Sequence, residues 1–433
     1  MGRPRALTLI VGRARALIGA RGAVAGDALL TSAGSILATG IAAFTSIIIA
    51  RELGPEGRGS WAVVSSIAVL TSTIVPLGLP IAVGYGIARV QSADRARLLQ
   101  AGARGAVAAA AIAAFAALAV AAIARPDGVD APTMALVGAM AAALVLHHFG
   151  QQCLLTGGTL PWYVAVQLTP VAFMLVAVVA IALAGSLTVS ALSAISAASA
   201  SVAAALAVAG LARHGLEPVG RLVRGARETA RMLRPYLPFA MMTFATLSLT
   251  QIVHRVDVLI VAGYLGEGQA GLYAVATQVG DVLLVVPAAL GVVVFRRGAT
   301  ATEGHWKDAL GTLAGTAAFA AALAVAVGVA AAPLVRTLFG SDYEGSVEPL
   351  RWLLPGVVLL GLQGVVSNYV ASRGRPGAVL VAWLTSAVFG IVADLFVVPR
   401  HGIVGAAIVS SVSYLLVLGL HVPPMRALRP GAS

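Results

Sequence analysis

Long apolar runs dominate the chain, and short polar or basic segments separate them. A transmembrane helix needs about 20 predominantly apolar residues. Runs of this kind cover residues 29–50, 60–85, 105–124, 132–155, 161–184, 187–212, 236–263, 270–294, 309–335, 350–371, 377–398 and 402–422. In lipid only helices and closed barrels satisfy every backbone hydrogen bond, and the runs do not show the alternation of barrel strands. The pattern therefore predicts an all-α membrane protein with about 12 transmembrane helices.

Composition agrees with this prediction. Of the 433 residues, 59% are hydrophobic and only 11% are charged, whereas soluble domains are about 25% charged. So few charges cannot cover a water-facing surface on a chain of this length, which excludes most soluble enzymes. The formal net charge of +12 would by itself suggest a nucleic-acid partner, so the placement of the basic residues decides between the two interpretations.

The basic residues lie mainly on one side of the predicted membrane. When the spans are counted alternately, 22 of the 29 Lys and Arg residues fall on one side and 6, including Arg58, on the other, while Arg255 lies inside a span. Cytoplasmic loops carry an excess of Lys and Arg. We therefore expect both termini in the cytoplasm of a multi-pass protein of the bacterial cytoplasmic (inner) membrane, and no nucleic-acid partner.

The spans divide into two groups of six. We expect a retained basic N-terminus over 1–28, a six-helix bundle over 29–212, a basic cytoplasmic linker over 213–235, a second six-helix bundle over 236–422 and a cytoplasmic tail over 423–433. Leu222, Ala226, Ala230 and Leu233 form an apolar stripe in the linker. It is either a short helix on an anionic leaflet, which makes anionic membrane lipids a partner, or a solvated basic linker.

An internal repeat supports this division. At a constant offset of 212, six residues of the first group recur in the second: Ala50, Leu53, Gly54, Gly59, Ala62 and Val63 match Ala262, Leu265, Gly266, Gly271, Ala274 and Val275. Each block ends one apolar run, turns through a glycine-rich segment and begins the next run. Because six spans separate the blocks, the two repeats are parallel, related by an axis along the membrane normal.

Four segments carry a family resemblance, namely IIIARELGPEGRGSWAVVSSIAVL, VDVLIVAGYLGEGQAGLYAVATQV, LVRTLFGSDYEGSVEPLRWLLPG and PRHGIVGAAIVSSVSYLL. In this order they resemble the polysaccharide and oligosaccharide flippases of the multidrug/oligosaccharidyl-lipid/polysaccharide superfamily. The resemblance implies two six-helix bundles around a central cavity that opens alternately to each side. It also implies a lipid-linked oligosaccharide, carried on polyprenyl pyrophosphate, as the cargo, with glycosyltransferases of the same pathway as possible partners. Members often carry fourteen spans or several cavity arginines, whereas this sequence suggests twelve spans and one intramembrane arginine.

The seventh span carries most of the intramembrane polar residues. Thr243, Thr246, Thr250, His254 and Asp257 recur at helical spacing on one face, Ser248, Gln251 and Arg255 occupy the adjacent face, and Leu249, Ile252, Val253 and Val256 lie opposite. This predicts a polar side toward a water-filled cavity and an apolar side toward lipid. Intramembrane charges mark functional sites by default because they are costly in lipid.

We expect Arg255, Gln251 and Ser248 to bind the pyrophosphate, since a guanidinium matches phosphate oxygens bidentately. The alternative is that Arg255 only pairs with Asp257 or Asp281. Asp257, His254 and Asp281 are in turn candidates for binding a coupling proton or sodium ion, or for charge pairing alone. Asp394 is expected to form an ion pair with Arg400.

Other chemistry finds little support in the sequence. It contains no phosphate-binding loop, so neither ATP nor another cofactor is expected, and the neighbouring His147 and His148 lack the carboxylate partner of a hydrolytic metal site. Within the same superfamily a cation-coupled multidrug exporter is an alternative, which the intramembrane acids keep open. A membrane-integral sugar-lipid polymerase or ligase is a weaker one, since the outer connections are short; we expect a transporter rather than an enzyme.

Overall fold

The computed structural model describes residues 4–124, 130–157, 160–215, 226–285, 287, 305–372 and 376–426. All regular elements in these ranges are helical. We number the α-helices in chain order: α1 Pro4–Ile74, α2 Leu79–Ile87, α3 Ser92–Ala124, α4 Ala131–Thr156, α5 Leu160–Leu183, α6 Val189–Arg213, α7 Ala226–Leu233, α8 Leu237–Leu265, α9 Glu267–Leu283, α10 His305–Leu338, α11 Val347–Ser372 and α12 Pro376–Arg426. Short 3₁₀ helices cover Arg234–Tyr236 and Ser341–Ser346.

Glycine corners divide the two longest helices. Helix α1 turns at Gly54 (φ 68°, ψ −179°) and α12 at Gly402 (φ 62°, ψ −154°). Gly266, between α8 and α9, has nearly the same conformation (φ 84°, ψ 170°). Since this region of backbone space is open almost only to glycine, each corner ends one span and begins the next.

The predicted spans agree with these helices. Within the described ranges nine helical stretches are long and apolar enough to cross a membrane, and the stretches Ala33–Ile74 and Gly377–Met425 each contain two spans separated by a glycine corner. The second span continues from α1 into α2 across a break at Pro76, where Leu77 and Gly78 both have positive φ. The prediction of an all-α membrane bundle is therefore confirmed. These ranges contain eleven of the about 12 predicted spans, and the end of the remaining one, 270–294, lies outside the described residues.

The two repeats interlock at the end of the bundle where the corners at Gly54 and Gly266 meet. We call this end the corner end. A Cβ atom placed on Gly59 would lie 1.8 Å from the carbonyl oxygen of Glu267, and one placed on Gly271 would lie 1.9 Å from that of Pro55. The two contacts are related by the repeat offset. Further bonds tie the same end together: the Tyr343 hydroxyl donates to the Ala50 carbonyl at 2.8 Å.

The halves also touch at the opposite, arginine-rich end, which we call the basic end. A Cβ atom on Gly78 would lie 3.0 Å from the carbonyl oxygen of Ala240 on α8. Nearby, the rings of Tyr85 and Phe239 stack with centroids 4.2 Å apart. The repeats therefore meet at both ends and leave space between them.

Small residues bring the helices of the first half together. Ala109, Ala113, Ala117 and Ala121 recur every fourth residue of α3 and are all buried in one core with residues of α4. Close backbone approach of this kind replaces the hydrophobic driving force that lipid does not provide. On the outside, large side chains such as Leu183, which is 86% exposed, are placed to face acyl chains.

Candidate functional site

A cavity of about 770 Å³ lies between the two halves. Helices α1, α4, α5 and α6 line it from the first half, and α8 and α9 from the second. Its polar lining residues are Thr39, Thr45, Ser46, Arg58, Ser65, Ser66, Ser196, Ser199, Thr250, Gln251, His254, Arg255, Thr277, Gln278 and Asp281. This volume is in the range typical of small-molecule sites.

Helix α8 presents part of its predicted polar side to this cavity. Thr250, Gln251, His254 and Arg255 all line it. The hydroxyl of Thr250 donates to the carbonyl of Thr246, so that hydroxyl is satisfied within its own helix. Gln251, His254 and Arg255 are thus the α8 side chains whose polar groups line the cavity.

Ser248 does not belong to this group. It is buried, its hydroxyl has no hydrogen-bond partner among the described residues, and it is not part of the cavity lining. Ser248 lies seven residues before Arg255, about 10 Å along the helix axis, toward the end where α2 closes on α8. The structure therefore separates Ser248 from Gln251 and Arg255.

The expectation of a lipid-facing side on α8 was wrong. Leu249 and Val253 pack against the apolar core of the second half, and Ile252 and Val256 face residues of α12. Helical periodicity identifies an apolar face, but it does not distinguish lipid from an apolar neighbouring helix. On this side α8 therefore packs against protein.

Arg58 is a further functional candidate, and its sequence position does not reveal it. Counting the spans alternately places Arg58 among the six basic residues of the outer side, but the structure buries it in the cavity wall with 8% of its surface exposed. One terminal nitrogen, Nη2, donates to Ser46 Oγ and Gln278 Oε1, both at 3.0 Å. Ser46 also donates to Gln278. The cavity therefore holds two arginines rather than one.

Arg58 retains unused bonding capacity. Its Nε is buried and has no hydrogen-bond partner among the described residues. A buried donor without a partner is costly, and an acceptor bound in the cavity would remove that cost. The surrounding sequence Gly57-Arg58-Gly59 indicates an arginine close to a glycine corner, but it is equally typical of an outer loop.

Arg255 is not held in an ion pair. Within the part of the chain that the structure describes, the ion pair closer than 4.0 Å joins Arg336 and Glu344 at the corner end. Arg255 therefore does not form the predicted alternative pair with Asp257 or Asp281. Asp281 lines the same cavity together with Thr277 and Gln278, as the spacing of α9 predicts.

Asp257 points away from the cavity. It is buried, and its Oδ2 accepts a hydrogen bond from the Tyr273 hydroxyl at 2.7 Å, while Ser410 lies 3.4 Å from the same oxygen. The backbone N–H of Val258 donates to Oδ1 at 2.7 Å. The expectation that Asp257 shares the cavity face with His254 was therefore wrong, because the partners of Asp257 lie on α9 and α12.

A second, much smaller space adjoins this carboxylate. It measures about 20 Å³, and its lining includes Asp257, Asp394, Ser410 and Ser413. Asp394 is 4% exposed, and its Oδ1 has no hydrogen-bond partner among the described residues. The predicted ion pair with Arg400 does not form, since Arg400 donates to the carbonyl of Phe396 at the helix end. Two carboxylates and two hydroxyls thus surround a space of atomic size.

The comparisons with known proteins now identify the class. Residues 24–295 match the family model described as polysaccharide biosynthesis protein. Because this match covers more than half of the chain, the protein belongs to that family. A search of curated proteins finds no match.

Solved structures show the same fold at low sequence identity. Lipid II flippase MurJ in an inward closed conformation matches with a TM-score of 0.76 and 12% identity, over 92% of this chain and 87% of that one. An inward-facing multidrug resistance transporter matches with a TM-score of 0.69 and 14% identity, over 92% and 96%. A transporter of the same superfamily from Pyrococcus furiosus matches with a TM-score of 0.59 and 15% identity, over 93% and 96%. The resemblance found in the sequence is confirmed: this is a multi-pass membrane protein of the polysaccharide biosynthesis protein family, with the fold of these flippases and transporters.

Proposed function

We propose that the protein translocates a polyprenyl-pyrophosphate-linked oligosaccharide across the cytoplasmic membrane for the synthesis of a cell-surface polysaccharide. The charge of the cavity is the observation that carries this proposal. Two arginines, Arg58 and Arg255, and one carboxylate, Asp281, line it in the described part of the chain. An excess of positive charge inside a membrane protein is costly unless an anion compensates it, and a pyrophosphate is such an anion.

The arginines supply the chemistry of recognition. Arg58 comes from the first half and Arg255 from the second, so an anion held between them bridges the repeats. Guanidinium groups bind phosphate oxygens in bidentate geometry, and the serine and threonine hydroxyls of the wall suit sugar hydroxyls. The lipid tail would remain in the bilayer while the polar headgroup crosses through the cavity.

Alternating access would require the two ends of the bundle to open in turn. The corner end opens only if the contacts of Gly59 and Gly271 separate, and the basic end only if Tyr85 and Phe239 unstack. Rocking of the two repeats about the cavity would open one end while the other stays closed. We place the basic end in the cytoplasm because of its excess of arginine.

Deletion of the gene tests the substrate class. Extraction of lipid-linked intermediates should show one such intermediate accumulating on the cytoplasmic face, with its sugars unaltered. Accumulation of the unaltered intermediate on the outer face would instead indicate a polymerase or ligase, and an unchanged lipid pool with a drug-sensitivity phenotype would indicate the multidrug exporter.

Reconstitution tests the two arginines. In liposomes containing a labelled polyprenyl-pyrophosphate-linked sugar, Arg58→Ala and Arg255→Ala should each slow translocation roughly 30-fold or more, since removing one partner of a buried charged hydrogen bond costs about 2 kcal/mol or more. Arg400→Ala removes the same charge at the corner end and should translocate normally. Full activity in both cavity variants would refute pyrophosphate binding by these residues.

The small space beside Asp257 supports a coupling ion. A proton or sodium ion there would neutralise the buried carboxylates of Asp257 and Asp394, whereas His254 and Asp281 face the cargo cavity. Translocation should then depend on a proton or sodium gradient and lose that dependence in Asp257→Asn. Asp342→Asn changes an exposed acid and is the control. Wild-type translocation that ignores both gradients would remove the coupling role.

A further inference from the structure

Exposed arginines surround one apolar cluster at the basic end of the first half. The cluster includes the buried side chains of Ile87, Leu98, Leu211 and Leu233, from helices α2, α3, α6 and α7. Each of these lies within two residues of an exposed arginine. These arginines are Arg89, Arg97, Arg213, Arg231 and Arg234. Together with the exposed Arg227, about one turn before Arg231 on α7, we call them the arginine collar.

Helix α7 and the residue that follows it contribute half of the collar. Its Leu233 is buried in the cluster and Met232 packs against it, which confirms a helix in the second part of the predicted linker; Leu222 lies outside the described residues. Arg227 and Arg231 are exposed on this helix and Arg234 follows it. Packing of Leu233 therefore fixes three positive charges beside those of α2, α3 and α6.

Little negative charge opposes the collar. In the described parts of the same segments, 87–98, 211–215 and 226–236, the acidic residues are Asp94 and Glu228. The surface consequently has a strong excess of positive charge. Such a surface attracts anions over about a Debye length, 8–10 Å in physiological salt.

Aromatic contacts place the collar at the depth of lipid headgroups. The guanidinium carbon of Arg89 lies 3.6 Å from the ring centre of Tyr85, and that of Arg213 lies 5.1 Å from the ring centre of Trp162. Tyrosine and tryptophan concentrate at the membrane interface. Stacking uses the face of a guanidinium, so its in-plane N–H groups stay available to phosphate oxygens.

We propose that the arginine collar is a docking surface for anionic phospholipid headgroups of the inner leaflet. This goes beyond the proposed transport function, because it concerns the surrounding bilayer rather than the cargo. A lipid is favoured over an acidic soluble protein because the arginines sit at the ends of spanning helices, beside interfacial aromatic residues. Phosphatidylglycerol has the required chemistry, a phosphate at this depth whose negative charge no headgroup cation offsets.

Native mass spectrometry of the full chain tests the collar. After equilibration with equimolar phosphatidylglycerol and phosphatidylcholine, the wild type should retain phosphatidylglycerol preferentially. Because each surface arginine contributes about fivefold to anionic-lipid affinity, Arg227→Gln/Arg231→Gln/Arg234→Gln should lower the preference at least tenfold. The control Arg336→Gln/Arg351→Gln/Arg400→Gln removes three charges at the corner end and should keep it.

A second measurement uses the wild type alone and so does not depend on whether the triple variant folds. The preference should fall severalfold when the salt concentration rises from 50 to 500 mM, since screening weakens exposed charges. Equal retention of both lipids by the wild type would overturn the proposal and leave an acidic protein as the occupant. A preference that survives the triple substitution at the collar would overturn it as well.

Discussion

Gly59 and Gly271 occupy equivalent positions in the two repeats, and each packs against the backbone carbonyl at the start of the other repeat's helix. A Cβ atom would lie 1.8 Å from the Glu267 oxygen in one case and 1.9 Å from the Pro55 oxygen in the other. This reciprocal contact closes the corner end. Any motion that opens the cavity at the corner end must break the Gly59 and Gly271 contacts together.

Alanine at either glycine should destabilise the closed corner end. The added methyl group overlaps backbone atoms, which cannot rotate away as a side chain can, so we expect Gly59→Ala and Gly271→Ala each to cost about 1–3 kcal/mol. Thermal unfolding in detergent measures this. Gly263→Ala, where no atom lies within 4 Å of the new Cβ, should be neutral or slightly stabilising.

The two substitutions should not be additive. The first alanine already pushes the corners apart, so the second meets less resistance, and the double variant should lose less stability than the two singles together. Equal and fully additive losses would show that the two contacts are independent.

A disulfide across the corner end should block translocation. A Cβ atom on Gly268 would lie 3.6 Å from Glu56 Cγ, the atom whose place a cysteine sulfur takes, so two cysteines here lie within reach of a disulfide. In a Cys153→Ser background, we expect Glu56→Cys/Gly268→Cys to cross-link and lose translocation until reduced. The single variants Glu56→Cys and Gly268→Cys cannot form this bridge and should translocate equally well with and without reductant. Undiminished translocation by the cross-linked Glu56 variant would contradict opening at this end.

The corners could be predicted from sequence because their geometry restricts residue type. Gly54 and Gly266 have positive φ, and Gly59 and Gly271 contact backbone atoms of the other repeat. All four positions therefore require glycine, so the repeat appears in the sequence as identical residues at a constant offset. Span positions were predictable for a similar reason, since lipid demands apolar runs of fixed length.

The positions of Arg58 and Asp257 could not be predicted in this way. Arg58 follows a corner, and only the packing of α1 against α9 reveals that it points into the cavity toward Gln278. Asp257 shares a helical face with His254 in the sequence, but Tyr273 and Ser410 turn it toward α12. A helix periodicity assigns residues to faces, and the partner of each face depends on contacts between distant segments.

Asp130 should give helix α4 a pH-dependent cap. Its side chain accepts from the backbone N–H and the hydroxyl of Thr133, and these hydrogen bonds lower the pKa of Asp130 below its ordinary 3.8. Because the folded state favours the ionised form, the stabilisation is complete above the ordinary pKa and is lost as the pH falls through the lowered one.

Asp130→Asn keeps a capping side chain without this titration. The difference in unfolding temperature between wild type and variant should therefore be largest at neutral pH and shrink in acid. A difference that does not change with pH would contradict this.

The bonds of Arg58 to Ser46 and Gln278 should position this arginine for cargo as well as stabilise it. Gln278→Leu removes the acceptor that Arg58 and Ser46 share, leaving a buried charge with fewer partners, so we expect about 1.5–3 kcal/mol of lost stability.

Ser46→Ala should cost less, because Gln278 still accepts from Arg58. Ser46→Ala and Gln278→Leu together should cost less stability than the sum of the two single losses, because both residues belong to the same hydrogen-bond network. Gln269→Leu, a glutamine at the corner end outside the cavity, is the matched control. If Gln278→Leu slowed translocation no more than Gln269→Leu, the network would be structural only, and the anion would be held by Arg255 without a positioned Arg58.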